Sequence, residues 1–171
     1  MMGLHASIKT LVAAAALVAL AGCGPVLSRE TLGQTDRGLG FEQVIKDPAA
    51  YTGKTIVLGG TILGIENREG TTVVEVLEQE MNSRLMPVDP ESSAGRFLVE
   101  FDGFKDPAVF TNGKLLTVAG TITGVRKRRL GGSTYTYPVI RPVEHYLWKR
   151  RGYGGGPRIG IGLGIGITHV D

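Results

Sequence analysis

The chain has 171 residues, with 19 Lys and Arg against 16 Asp and Glu, 26 glycines, 6% aromatics and one cysteine. That length suits one domain and is short for two, and a net charge of +3 gives little global attraction to nucleic acid. A lone cysteine excludes an intrachain disulfide and a thiolate metal cluster. Few aromatics beside many Gly, Thr, Val and Ile point to a small β protein with tight turns.

Residues 1–22 read as a secretory leader, with Lys9 near the front and an apolar run from Leu11 to Ala21. The run is too short to span a hydrocarbon core, which takes about 20 residues. It ends in Leu20-Ala21-Gly22-Cys23, the pattern of a lipobox: two small residues precede the cysteine because the peptidase cleft must admit a nearly bare backbone. The competing reading is a buried free thiol behind an uncleaved leader, but such leaders favour an A-x-A-type site. Cleavage would remove Lys9 alone from the charged set, leaving 18 basic against 16 acidic residues. Diacylglycerol on the Cys23 thiol and an acyl chain on its amine would then hold the protein to a membrane, each buried methylene contributing about 0.8 kcal/mol. No other cofactor is expected. Gly24 stands where, in enteric bacteria, an aspartate signals inner-membrane retention, so the expected destination is the outer membrane of a Gram-negative cell.

Residues 23–40 are polar and turn-rich without an apolar period, and are expected to be a lipidated tether. Phe41 to Lys46 suits one or two helical turns at the entrance of a domain over residues 41–148, followed by a basic, Gly-rich tail over 149–171.

Two stretches within that domain resemble each other. Asp47-Pro48-Ala49 leads through Tyr51, Gly53 and Lys54 into Thr55 to Ile65; Asp106-Pro107-Ala108 leads through Phe110, Gly113 and Lys114 into Leu115 to Val125. This reads as an internally duplicated strand unit, with too few copies for a solenoid. Ile56, Leu58, Gly60 and Ile62 share one strand face, matched by Leu116, Val118, Gly120 and Ile122. Gly60 and Gly120 fall mid-strand, where glycine marks a bulge, a bend or a close backbone approach. Thr71 to Leu77, Arg96 to Phe101 and Ser133 to Ile140 supply three more strands. The fold class is therefore mainly β: a small five- to six-stranded barrel, like the oligonucleotide/oligosaccharide-binding (OB) barrel.

The order of motifs resembles the Slp family of outer-membrane lipoproteins, whose founding members are described as starvation-inducible. The resemblance is carried by the lipobox through Cys23, Tyr51-x-Gly53 leading to Gly59-Gly60-x-Ile62, Asn67, and Glu75-Val76-Leu77. It continues through Gly95-Arg96-Phe97-Leu98, Asp106-Pro107, Thr117-Val118-x-Gly120, Tyr135-x-Tyr137-Pro138-Val139 and His145-x-Leu147-Trp148. The resemblance implies a β-rich outer-membrane lipoprotein and supplies no catalytic residues.

No catalytic constellation stands out. The serines sit in no G-x-S-x-G elbow, and His145 and His169 lack metal-ligand spacing, so neither catalytic nor metal-ligating residues are assigned. Glu75 and Glu100 interrupt strand-like runs; they guard an exposed edge or, if turned into a pocket, contact a ligand. Two basic clusters, Arg126-Lys127-Arg128-Arg129 and Lys149-Arg150-Arg151, are either solvated faces or, lying near one end of the domain, contacts to anionic headgroups. The alternating Gly and Ile or Leu of residues 159–167 suit an ordered or oligomerising strand, a membrane-contacting edge or a free tail. The expected function is a non-enzymatic envelope structural or interaction module on the outer membrane. Its partners would be membrane lipid through Cys23 and other envelope components, without nucleic acid. The alternative is a periplasmic module binding an oligosaccharide, lipid or peptide on the barrel face, discriminated by whether that face forms a concave site.

Overall fold

A computed structural model describes residues 25–149. Strand β1 (Thr55–Arg68) turns into β2 (Thr71–Glu78) at Glu69-Gly70, where Gly70 takes a φ of 73° that disfavours a side chain. A short hairpin of β3 (Glu80–Met81) and β4 (Pro87–Asp89) precedes β5 (Arg96–Asp102). Strand β6 (Leu115–Leu130) then returns as β7 (Ser133–Leu147) through Gly131-Gly132. The five long strands close in the order β1-β2-β5-β7-β6. Every neighbouring pair is antiparallel except β5 and β7, which run parallel and pair Leu98 with Val139 and Val99 with Ile140. A closed five-stranded barrel with this order and one parallel seam is the OB architecture expected from the sequence.

Strand alternation fills the barrel. Ile56, Leu58 and Ile62 of β1 meet Leu116, Val118 and Ile122 of β6, with Val74, Val76, Phe97, Val99 and Ile140 completing the interior. Each such side chain contributes roughly 1.5–3 kcal/mol by leaving water. Helix α2 (Phe41–Lys46) closes one end: Phe41 and Val44 are buried, and the Phe41 ring lies 5.7 Å from that of Phe97. The opposite end is plugged by Phe110, whose ring meets Phe101 edge-on at 5.2 Å. Gly60 and Gly120 are the close approaches that their mid-strand positions suggest. A Cβ on Gly60 would collide with the Leu77 carbonyl, and one on Gly120 would lie 2.5 Å from Ile140 Cγ2 and 2.6 Å from the Arg141 oxygen.

The two Asp-Pro-Ala stretches take matching roles. Gly53 N–H donates to Ile122 O and Gly113 N–H to Ile62 O, both at 2.8 Å; Ile122 N–H donates to Lys54 O and Ile62 N–H to Lys114 O, both at 2.9 Å. An approximate two-fold thus relates β1 to β6 about the Leu58–Val118 pair.

Two expectations are corrected. The supposed tether is packed from Leu27 onward: Leu27 is 3% exposed, Ser28 caps helix α1 (Arg29–Gly33), and Asp36 N–H donates to Thr55 O at 2.8 Å. The apolar residues Leu27, Leu32 and Leu39 are too irregularly spaced to show a period, yet Leu27 is buried, Leu39 packs on the core and Leu32 lines a cleft against β1. Glu75 and Glu100 guard no edge, because the barrel closes and both of their strands have partners on each side. They stand on its outer wall beside arginines.

Candidate functional site

In OB barrels the second and third strands, flanked by the first-to-second and fourth-to-fifth strand loops, form the usual ligand face. Here that face is the outer wall of β2 and β5, and the chain covers it itself. The far half of the β6–β7 hairpin folds over it, so Tyr137 is buried with Val73, Leu98 and Val139, and Tyr135 packs beside them. Tyr137 Oη donates to Glu75 Oε1 at 3.1 Å, and Tyr135 Oη accepts the Arg96 N–H at 2.8 Å. Arg96 Nη1 lies 2.8 Å from Glu75 Oε1, Arg126 Nη2 2.6 Å from Glu100 Oε2 and Arg128 Nη2 3.2 Å from Glu66 Oε2. Such part-exposed pairs add at most about 1 kcal/mol each; their effect is to pin the hairpin and neutralise the carboxylates. Burial, reinforced by the Glu75 charge, raises the Tyr137 hydroxyl above its usual range. Hydrogen bonding from Arg68, with the charges of Arg68 and Arg128 beside it, holds Glu66 below the usual carboxylate range despite slight burial. What remains of the face is a shallow cleft of about 170 Å³ bounded by Gly64, Glu66, Val73, Glu75 and Arg128, so Glu75 borders a pocket although Arg96 and Tyr137 occupy its carboxylate.

The larger concavity lies on another wall, between the β3–β4 turn and the point where β6 begins and β7 ends. It measures about 700 Å³, with Asn82, Arg84 and Met86 on one side and Tyr146, Trp148 and Lys149 on the other. Trp148 is held in place: its backbone N–H donates to Leu115 O and its Nε1 to Thr117 Oγ1, both at 2.9 Å, while the Thr117 hydroxyl donates to Leu85 O at 2.6 Å. The half-exposed Tyr146 ring stands edge-on to it at 4.9 Å. Leu85 takes a φ of 63°, a left-handed conformation uncommon for a bulky side chain. The hydrogen bonds from Thr117 and to Asn82 hold the turn in that shape. A second cleft of about 360 Å³ adjoins this groove, sharing Ser83, and is lined by Pro25, Leu32, Leu39 and Leu85.

The N-terminal segment is fastened near this region. Glu144 accepts the Ser28 backbone N–H at 3.0 Å and its hydroxyl at 2.8 Å. Hydrogen bonding from Thr31, then from Ser28, lowers the Glu144 carboxyl below its usual range. Next to it, His145, exposed as a whole residue, rests its ring 5.0 Å from that of Phe101 and 5.9 Å from that of Phe110. Burial, then the nearby Lys105 charge, pushes His145 below the usual histidine range.

Of the residues singled out in the sequence, Leu20, Ala21, Gly22, Cys23, Arg150, Arg151 and residues 159–167 lie outside the described residues. The cluster Arg126–Arg129 is split by strand alternation: Arg126 and Arg128 turn inward to carboxylates, whereas Lys127 and Arg129 face solvent. Lys149 does not share an end of the hairpin with Lys127 and Arg129. Leu116 pairs with Leu147 and Leu130 with Ser133, which puts Lys149 at one end of the β6–β7 hairpin and Lys127 and Arg129 near the other, about 40 Å of strand path away. Antiparallel register, which composition does not reveal, separates them. Sequence reasoning named Trp148 only within the His145-x-Leu147-Trp148 motif and did not single out Tyr146; the signal that could have found both was aromatics running straight into a basic cluster. Among the described residues there is no group of three or more His, Cys, Asp and Glu able to hold a metal, and no helix long and apolar enough to cross a membrane.

A family model described as the outer membrane lipoprotein Slp family matches residues 20–157. The chain belongs to the Slp family. Membership makes it an outer-membrane lipoprotein relative with an envelope role, as its sequence motifs implied. An Escherichia coli (strain K12) relative described as uncharacterized lipoprotein YeaY is 31% identical over 106 residues, covering 62% of this chain and 54% of that protein. An uncharacterized protein of Haemophilus influenzae is 33% identical over 96 residues, with 56% and 52% covered. The outer membrane protein Slp of Escherichia coli (strain K12) is 25% identical over 118 residues, with 69% and 62% covered. The matches thus span between about half and under two thirds of these relatives' lengths. Two solved structures overlap in part: a small single-stranded DNA-binding protein from Streptomyces coelicolor (TM-score 0.37, 15% identity, 58% of this chain and 98% of that one) and a Plasmodium falciparum SSB complex with ssDNA (TM-score 0.31, 13% identity, 55% and 91%).

Proposed function

We propose that this Slp-family protein is a non-enzymatic module of the outer membrane, anchored by diacylglycerol and an N-acyl chain on Cys23, that works by contact through its outer surface. The observation that carries the reading is the sealed β2–β5 face. Tyr137 and the Glu75–Arg96, Glu100–Arg126 and Glu66–Arg128 pairs occupy the place where an OB ligand would lie. Nucleic acid is a poor partner for such a wall, because its arginines are already paired with carboxylates and its tyrosines are turned inward on protein. Its titratable groups are engaged with one another, which leaves no unpaired acid and base facing a common substrate position. Other envelope components are the partners this reading implies.

The test is fractionation of the wild type and Cys23→Ala, with the intact mass of the mature wild type. Wild type is expected to carry the mass of its lipids and to enter the outer-membrane fraction, while Cys23→Ala retains its leader or becomes soluble. A soluble, unlipidated wild type would overturn the proposal.

A further inference from the structure

The groove beside Trp148, at about 700 Å³, is larger than the cleft of about 170 Å³ left on the sealed face, and the contacts of that face give it no role. Its position relative to the chain's start is informative. Pro25 lines the adjoining cleft, which meets the groove at Ser83. Cys23 is two residues earlier, and two peptide steps of about 3.8 Å restrict it to within about 8 Å of Pro25. Just downstream, Leu27 is buried and Ser28 is bonded to Glu144, so the chain cannot swing away from this wall.

The chemistry of the walls matches the boundary of a bilayer. Tyr and Trp concentrate at membrane interfaces because each joins an apolar ring to a polar atom. Here the indole N–H is already used on Thr117, which fixes the ring, and Tyr146 stands against it. Lys149 lines the same groove and supplies positive charge beside these rings, a combination suited to a phosphate attached to an apolar body. Lys127 and Arg129 lie toward the other end of the hairpin and belong to a different surface.

We propose that this groove receives the phosphate-bearing headgroup of an anionic phospholipid from the same bilayer that holds Cys23. The inference rests on the anchored reading above. It orients the barrel, with the Trp148 wall toward the membrane and the sealed face turned away from the headgroups.

Trp148 is the chain's one tryptophan, so its fluorescence reports the groove directly. The acylated protein would be reconstituted into vesicles of phosphatidylcholine alone or with phosphatidylglycerol, each with a fraction of lipids spin-labelled at the headgroup. Co-sedimentation and intact mass report the anchor separately. Loss of either refutes the anchored reading, whereas the groove is judged from quenching in protein that remains anchored. Trp148 is expected to be quenched by the labelled headgroups, with phosphatidylglycerol increasing the effect. Lys149→Glu should reduce the preference for phosphatidylglycerol by at least about five-fold, because it removes one cation worth about 1 kcal/mol at an anionic surface and puts a carboxylate in its place. The paired substitution Lys127→Glu with Arg129→Glu should leave it unchanged. The groove proposal is overturned if anchored wild type is quenched by aqueous iodide but not by labelled headgroups. It is equally overturned if Lys149→Glu keeps the full preference, or if the hairpin substitutions abolish it. Near-ultraviolet circular dichroism matching the wild type certifies each variant as folded.

Discussion

Glu144 and Ser28 are 116 positions apart, and the carboxylate of one accepts both the backbone N–H and the hydroxyl of the other. The contact fastens the chain's first described helical turn to the last barrel strand while Ser28 caps α1. Ser28→Ala removes the cap and one of these bonds. It should cost about 1 kcal/mol, read as a fall of about 3–5 °C in the thermal midpoint.

The same contact is sensitive to acid. Because the folded Glu144 carboxyl sits below its ordinary value, its stabilising effect is complete above the ordinary carboxylate range. It is lost as pH falls through the lowered folded value. A carbon-detected NMR titration should place the Glu144 midpoint below that of free glutamate, with the Ser28 amide resonance moving at the same pH. An ordinary midpoint would contradict the contact.

His145 has the opposite chemistry and the same direction of pH dependence. Its folded value is lowered by burial and by Lys105, so the unfolded chain binds a proton more readily. Stability is therefore full above the unfolded value, near pH 6.5, and declines on acidification until the folded value is passed. Denaturant melts at pH 8 and pH 5.5 should show this loss in the wild type and a smaller one in His145→Phe, which keeps a ring against Phe101 and Phe110.

Tyr137 separates packing from hydrogen bonding on the sealed face. Tyr137→Phe deletes only the bond to Glu75 and should cost about 1.5 kcal/mol. Tyr137→Ala also empties a site that is 1% exposed and should cost about 3–5 kcal/mol. Urea midpoints measure both, and the alanine variant should expose the β2–β5 wall to a hydrophobic dye.

Gly60→Ala would push a methyl group into the Leu77 carbonyl, a backbone atom that cannot step aside. The expected cost is about 3 kcal/mol, whereas Gly132→Ala at the open hairpin turn should cost well under 1 kcal/mol. Paired thermal melts provide the comparison.

Strand starts were legible, as were the ends of β2 and β5 to within one residue. Thr55, Thr71, Arg96, Leu115 and Ser133 begin strands as their neighbours' alternation suggests. Strands β1, β6 and β7, however, run on through Glu66 to Arg68, Arg126 to Leu130 and Arg141 to Leu147. There the apolar alternation stops while cross-strand pairing continues. The β3–β4 hairpin escaped because its strands have two and three residues within a turn-rich stretch. The groove escaped for a different reason: Asn82, Leu115 and Trp148 come from three separate parts of the chain, and only barrel closure brings them together. The fold is written in local alternation, whereas the groove arises from register.

The parallel seam between β5 and β7 also implies an order of assembly. The β1–β2 turn joins Arg68 to Thr71 and the β6–β7 turn joins Leu130 to Ser133, short loops that close at little entropic cost. Pairing Thr55 with Thr121 requires capture across 66 positions, and the seam itself rests on two residue pairs. Nascent hairpins are therefore expected to precede ring closure, with Leu98 and Val139 pairing late, as a clasp. Substitutions at the clasp should chiefly hasten unfolding, while those in the two hairpins should slow refolding.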